Sequence, residues 1–95
     1  MKTKLVIEAQ VLEFIRRQPP ETRRHLRAAL HGIELGETFP EPLDDELEGF
    51  YKVKVDDCRF ILKSEPGDIA PLFKVTFAER RKVVYEMFRQ IAGLE

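Results

Sequence analysis

The sequence predicts one small α+β domain with the order β-α-α-β-β-β-α: an antiparallel sheet, a two-helix hairpin packed on one face, and a C-terminal helix. Its length of 95 residues suits a single domain with one modest core. Apolar residues change from strand-like to helical spacing within the first third of the chain. In the second half, apolar and basic residues alternate between turn-forming clusters, as strands do.

The N-terminal third predicts one strand and two helices. Aliphatic and β-branched side chains at 3–7 favour a short strand. Apolar residues then recur at helical spacing over 9–18 and predict a first helix, which the double proline at 19–20 ends. Because proline suits a first helical turn and glycine a helix end, we expect a second helix over about 20–35, stopped by Gly36. The short connection makes the two helices an antiparallel hairpin.

The rest of the chain predicts a loop, three strands and a helix. The acidic, proline-containing stretch 37–48 indicates a surface loop. Strands are expected at 49–55, 58–64 and 69–77, separated by an Asp-Asp turn and by the turn-forming sequence EPGD. From residue 78 to about 92 the helical spacing returns and predicts the closing helix.

Composition argues against several classes of protein. No apolar run approaches the ~20 residues that cross a bilayer, and Glu8 ends the first apolar group at once. We therefore expect no membrane partner and no signal peptide. A single cysteine, Cys58, forms no internal disulfide, which suits a reducing cytoplasm. Without Cys and His at ligand spacing, we expect neither a metal nor another cofactor.

The net charge of −1 conceals a strong segregation of charge. Residues 1–36 hold seven Lys/Arg and four Asp/Glu, residues 37–50 hold six acids and no base, and residues 51–95 hold nine bases and seven acids. Local fields, rather than the net charge, concentrate a polyanion near a protein. The charge balance is therefore compatible with a nucleic-acid partner.

Alternation along the three C-terminal strands sorts their side chains into two faces. If the apolar sets face the helices, the alternating residues on the other face include five cations and no acid. These are Lys52, Lys54, Arg59, Lys63 and Lys74. One interpretation is an ordinary solvated face with edge-protecting lysines. The other is a surface for a phosphate backbone, since like charges repel unless a polyanion binds. Arg80, Arg81 and Lys82 are expected to add cations beside it.

Two stretches resemble a known family. The hairpin YKVKV at 51–55, preceded by LEG at 47–49 and followed by CRFIL at 58–62, resembles the central hairpin of the RelE/ParE toxin superfamily. The sequence RRKVVY at 80–85 is similar to that family's end signature, a basic cluster followed by valine and tyrosine. Chain length and element order fit as well. The resemblance covers nearly the whole chain and favours the RelE-like branch.

The resemblance implies a toxin of a type II toxin–antitoxin system, neutralised by a cognate antitoxin. Its RNA-cleaving members cut mRNA, typically on the ribosome, by attack of a 2′-hydroxyl on the adjacent phosphorus. This chemistry needs a proton acceptor, a proton donor and cations that stabilise the developing charge. By position, the resemblance implies that Lys52 is the base, Lys54 a phosphate ligand and Arg59 the transition-state stabiliser. The resemblance assigns Tyr85 one of three roles: orienting the 2′-hydroxyl, sharing proton transfer or stacking on a base.

One position departs from the family pattern. RNA-cleaving members carry an arginine six residues before the tyrosine, and Glu79 stands there in this chain. Arg80 and Arg81 are the candidates to replace that arginine. The candidates to bind RNA outside the reacting centre are Lys63, Lys74 and Lys82.

Two alternatives on the same fold stay open. One is a ParE-like inhibitor of DNA gyrase that cuts nothing. The other is a binding module of toxin descent that holds RNA or a protein without chemistry. The paired lysines with Arg59 and Tyr85 favour the ribonuclease, since gyrase inhibitors generally lack a complete ribonuclease set. Glu79 and the net charge of −1 favour the inert module. His25 and His31 are expected to be solvated rather than catalytic.

Overall fold

A five-stranded sheet carries two helices on one face in the computed structural model, which describes residues 3–43, 49–65, 72–82 and 86. In chain order the elements are β1 (Lys4–Ile7), α1 (Ala9–Arg16), α2 (Pro20–Leu35), β2 (Glu41–Pro42), β3 (Phe50–Val55), β4 (Cys58–Glu65) and β5 (Leu72–Arg80). The strand order across the sheet is β1-β5-β4-β3-β2. No helix in the described part of the chain is long and apolar enough to span a bilayer.

The pairing of β1 makes the sheet mixed. β1 lies parallel to β5, whereas the β2–β3, β3–β4 and β4–β5 pairs are antiparallel. The predicted α+β class and the helix hairpin on one face are confirmed. The prediction of a purely antiparallel sheet is corrected at this one edge, where the first and last strands meet. A parallel pair needs a long connection, and the intervening helices and strands provide it.

The helix hairpin forms where the prolines and glycine predicted it. α2 begins at Pro20, has Glu21 in its first turn, and ends at Gly36, whose φ of 77° is left-handed. Glycine adopts this conformation without a Cβ clash. The Gly36 N–H donates a hydrogen bond to the Ile33 carbonyl at 3.1 Å. α1 ends at Arg16, two residues earlier than predicted.

The core lies between the helix hairpin and the sheet. The helices contribute Val11, Phe14, Ile15, Leu26, Leu30 and Ile33. The strands contribute Val53, Val55, Cys58, Phe60, Leu62, Val75 and Ala78. Burial of these apolar side chains is the main favourable contribution to folding and fixes which sheet face turns inward.

An extra residue in β5 interrupts its alternation. The register passes from Ile61 opposite Phe77 to Leu62 opposite Val75, which leaves Thr76 as the additional residue of a β-bulge. The Thr76 hydroxyl donates a hydrogen bond to the Ile61 carbonyl at 3.1 Å. A backbone acceptor at the irregular position is thereby satisfied.

The bulge changes which β5 side chains share a face. Val75 and Ala78 both belong to the core beneath the helices. Phe77 instead pairs with Ile61 on the opposite face. Strict alternation along this strand would place Phe73, Val75 and Phe77 on one face, and the inserted residue moves Phe77 to the other face.

Two predicted boundaries are also wrong. The stretch expected to be a loop contains β2, a two-residue edge strand with a proline, as edges commonly have. β5 continues to Arg80, because the start of β4 offers pairing partners that far, so the closing helix does not begin at residue 78. Helical conformation begins at Arg81. The predicted turn at 66–68 and most of the closing helix lie outside the described residues.

The Gln10 side chain extends the sheet where β1 ends. Its Nε2 donates to the Ala78 carbonyl at 2.9 Å, and its Oε1 accepts from the Ala78 N–H at 2.9 Å. The amide thus occupies the place of a peptide group in a neighbouring strand. Because Ala78 is fully buried, its backbone has no access to bulk water if the amide is removed.

We predict that Gln10→Leu lowers the free energy of unfolding by about 1–3 kcal/mol, the usual cost of leaving buried polar groups unsatisfied. Gln18→Leu is the matched control, since Gln18 makes only a local bond to the Phe14 carbonyl at 3.1 Å. Urea denaturation of both variants measures the difference. Equal losses would show that the Gln10–Ala78 pair has no special role.

Candidate functional site

The sheet face opposite the helices carries three rows of side chains across β3, β4 and β5. The rows are Lys54, Arg59 and Glu79; Lys52, Ile61 and Phe77; and Phe50, Lys63 and Lys74. Facing residues on neighbouring strands lie roughly 4.5–5.5 Å apart, and successive rows roughly 7 Å apart. The register therefore brings all five cations expected on this face onto one surface, which we call the cation face.

The cation face also carries carboxylates, contrary to the sequence-based expectation. The bulge places Glu79 opposite Arg59, and β2 places Glu41 opposite Lys52. Neither position was assigned to this face by simple alternation, because one depends on the bulge and the other on an unpredicted strand. These acids offset repulsion among the cations. The fold therefore does not require a bound polyanion for its stability.

The middle of the cation face is buried rather than solvated. Ile61 has no exposed surface, and Phe77 is only 6% exposed. The basic groups consequently lie around an apolar centre. The exposed cations are Lys54 and Lys63, whereas Lys52 and Lys74 are half-buried.

Two lysines of the predicted RNA-binding set have partners within the fold. Lys74 Nζ lies 3.7 Å from Glu8 Oε1. Lys63 Nζ lies 5.8 Å from the centre of the Phe50 ring, within cation–π range. Lys54 forms no ion pair within the described ranges.

Arg59 is buried, with 8% of its surface exposed. Its Nη1 donates to the Asp56 carbonyl at 3.2 Å and to the Cys58 carbonyl at 2.7 Å. Asp56 has a φ of 52°, so the guanidinium supports a turn of unusual backbone conformation. Arg59 therefore holds the β3–β4 turn as well as lying opposite Lys54.

The basic residues at the end of β5 and just beyond it do not all lie on the cation face. Arg80 lies opposite Cys58, a core residue, and so on the helix side of the sheet, away from Arg59. The Arg81 N–H donates to the Asp57 carbonyl at 2.9 Å, which anchors the helix start beside the β3–β4 turn. The side chains of Arg80, Arg81 and Lys82 are exposed. Tyr85 lies outside the described residues.

Glu79 occupies the place where the family pattern has an arginine. Its Oε1 accepts a hydrogen bond from the Arg80 N–H at 2.9 Å, and its Cα partner across the sheet is Arg59. A carboxylate here moderates the positive field at Arg59. The site is therefore mixed in charge rather than uniformly basic.

A histidine–carboxylate pair was missed by sequence reasoning. His25 Nδ1 lies 2.7 Å from Asp56 Oδ2, and both side chains are about half exposed. The pair connects α2 to the β3–β4 turn across 31 positions of sequence, so no local pattern signals it. Among the described residues there is no group of three or more His, Cys, Asp or Glu placed to hold a metal ion.

A shallow cavity of about 200 Å³ opens where β2 diverges from β3. Its lining residues are Thr38, Phe39, Glu41, Lys52, Val53 and Lys54. Lys52 and Lys54, the two lysines expected at the reacting centre, thus lie beside the segment predicted to be a loop. Phe39 was missed because a single aromatic residue in a polar stretch carries no periodicity.

The fold resembles those of known toxins. A YoeB/ParE toxin from Agrobacterium tumefaciens superposes with a TM-score of 0.63 over 82% of this chain and 98% of that chain, at 16% identity. The fold is that of the RelE/ParE toxins. A chain of the RelB-RelE antitoxin-toxin complex from Methanococcus jannaschii gives a TM-score of 0.61 over 87% of this chain and 98% of its own, at 10% identity. No family model and no curated protein sequence matches this chain.

The contacts of Arg59 in this RelE/ParE fold predict a structural cost for its removal. Arg59→Ala should lower the free energy of unfolding by about 1.5–3 kcal/mol, because two turn carbonyls lose a charged donor. Lys54→Ala, which removes the exposed cation opposite, should change it by less than about 0.5 kcal/mol. Chemical denaturation distinguishes the two, and a neutral Arg59→Ala would contradict the assigned support of the turn.

Burial raises the pKa of the Cys58 thiol above its usual value, and the negative charge of the Asp57 carboxylate raises it further. The folded protein thus retains this proton at a pH where the unfolded chain loses it. The resulting stability is complete below about pH 8.5 and is lost as the pH rises through the folded pKa. Between about pH 8 and pH 10, wild type should lose more stability than Cys58→Ala. Parallel stability curves would contradict this.

Proposed function

We propose that this chain is the toxin of a type II toxin–antitoxin system and cleaves mRNA, on the ribosome, as a metal-independent endoribonuclease. The observation that carries the proposal is the meeting of Lys52, Lys54 and Arg59 on one face of a RelE/ParE toxin fold. Lysine and arginine side chains supply the charge and the proton transfers that a metal provides in other nucleases. The proposed setting is the cytoplasm, where mRNA and ribosomes are found.

The proposed reaction is an attack of the RNA 2′-oxygen on the adjacent phosphorus. The bond between phosphorus and the 5′-oxygen breaks, leaving a cyclic phosphate and a free 5′-hydroxyl. Lys52 accepts the proton of the 2′-hydroxyl. Lys54 binds a non-bridging phosphate oxygen and is exposed to receive it. Arg59 stabilises the added negative charge through the N–H groups that do not hold the turn.

The donor to the leaving 5′-oxygen comes from the helix that begins at Arg81 in this proposal. Arg81 is the better candidate of the two neighbouring arginines, since Arg80 lies on the helix side of the sheet. Tyr85 keeps the roles that the family resemblance gives it: orienting the 2′-hydroxyl, sharing proton transfer or stacking on a base.

Binding beyond the reacting centre is assigned to Lys63, Lys74 and Lys82. Lys63 and Lys82 are exposed and available to phosphates. Lys74 would exchange its contact with Glu8 for a contact with RNA. A cognate antitoxin is the proposed protein partner, and the RelB-RelE complex among the similar structures supports this assignment.

A second candidate is a module that binds without cleaving. It is favoured by the commitment of Arg59 Nη1 to two backbone carbonyls and by Glu79 opposite Arg59. A ParE-like gyrase inhibitor shares the fold, but none of the described contacts favours it specifically.

The test expresses wild type, Lys52→Ala and Lys54→Ala in a bacterial host and maps RNA 5′ ends. Wild type should produce new 5′-hydroxyl ends within translated messages. Lys52→Ala should reduce cleavage by about 100-fold or more, the usual contribution of a positioned base. Lys54→Ala should weaken cleavage while retaining the fold. Arg59 variants are less decisive, because Arg59 also supports the turn.

Arg27→Ala is the matched control for charge, because Arg27 is an exposed cation on α2, in the helix layer. It should cleave like wild type. Growth arrest with intact messages would contradict the proposal and indicate gyrase inhibition. Neither arrest nor cleavage would indicate the inert module.

A further inference from the structure

Phe39 is the most exposed large apolar side chain in the described part of the chain, at 78%. The backbone before it is fixed. The N–H groups of Glu37 and Thr38 both donate to the Gly32 carbonyl, at 2.8 and 3.1 Å. The chain approaches α2 so closely that a methyl group on Gly32 would lie 2.5 Å from Thr38 Oγ1. An exposed ring on a fixed segment is therefore presented to solvent beside β3.

The neighbours of the ring distinguish it from an incidental surface residue. Phe39 lines the 200 Å³ cavity together with Lys52 and Lys54. Thr38 and Glu41 line the same cavity. One aromatic residue, two lysines and two polar residues thus border one space. Stacking on an aromatic ring beside backbone-binding cations is how proteins hold single-stranded nucleic acids.

We propose that this cavity is a nucleobase subsite for single-stranded RNA. Phe39 stacks on one base, while Lys54 contacts the phosphate beside it. The proposal rests on the proposed ribonuclease function and adds to it a determinant of where the RNA is cut. Because Lys52 belongs to both the cavity and the reacting centre, the bound base is a neighbour of the scissile phosphate.

The size of the cavity suits a single base. Pockets for drug-sized ligands occupy roughly 300–1,000 Å³. This cavity, at about 200 Å³, is smaller and open. It accommodates a flat ring system with the ribose and phosphates outside, close to the exposed Lys54.

Glu41 favours entry of the base, rather than the phosphate, into the cavity. A carboxylate repels phosphate but accepts hydrogen bonds from the N–H groups of a base. Guanine presents two adjacent donors on its Watson–Crick edge, and the other three bases present fewer. The subsite therefore prefers guanine. The cations beside the ring favour RNA over an apolar protein segment as the occupant.

The test uses Phe39→Trp, which introduces the chain's only tryptophan. The probe is a short single-stranded 2′-O-methyl oligouridylate with one variable base, which binds but has no 2′-hydroxyl to react. Tryptophan fluorescence should be quenched on binding, most strongly with guanine. Phe39→Ala should weaken binding by about fivefold or more, the fold-change expected for loss of one base stack. Leu12→Ala, which truncates another exposed apolar side chain, should bind like wild type.

Glu41→Gln should remove the preference for guanine while retaining quenching. Wild-type affinity for RNA with no quenching in Phe39→Trp and no loss in Phe39→Ala would overturn the subsite and leave the ribonuclease intact. The same result with weakened antitoxin binding would assign Phe39 to a protein interface instead. Failure of wild type to bind the oligonucleotide would overturn the subsite, whereas the mapping of 5′ ends in translated messages tests the ribonuclease separately. Quenching without cleavage of an unmodified messenger on ribosomes would support the subsite and contradict the ribonuclease.

Discussion

Side chains alternate between the two faces of the sheet along β3, β4 and β5, and the β-bulge at Thr76 interrupts this alternation. Together they determine which residues share a face. Burial under the helices fixes one face of the sheet, so the other face collects the remaining side chains. The inserted residue returns Ala78 to the core and turns Glu79 towards Arg59. A register shifted by one residue would separate Lys54 from Arg59 and remove the core face at the same time.

In the proposed site, the same side chains have structural roles in the fold and proposed roles in the reaction. Arg59 holds the turn at Asp56 and faces Lys54, so its position is fixed before any ligand arrives. Preorganised charge of this kind is more effective in catalysis than charge that must be reoriented. The carboxylates of Glu41 and Glu79 moderate the positive electrostatic field of the cation face. Five cations nevertheless share this face in a chain whose net charge is −1.

Much of the fold followed from local sequence rules. The prolines at 19–20 and Gly36 set the helix hairpin, and alternation identified the basic strand face. Thr76 carries no local signal for a bulge, and the pairing of Glu41 with Lys52 depends on residues distant in sequence. The His25–Asp56 contact is missed for the same reason. Features set by tertiary contacts therefore escaped the prediction, whereas those set by backbone preference and period did not.

We propose that this face positions an RNA 2′-hydroxyl for attack on the adjacent phosphate. The most direct test offers the purified protein a messenger on ribosomes in which the nucleotide before the cut site is 2′-deoxy, alongside the unmodified messenger. We expect cleavage of the unmodified messenger to a cyclic phosphate and a 5′-hydroxyl, with none at the deoxy position. Equal cleavage of both messengers, or ends bearing a 5′-phosphate, would contradict it.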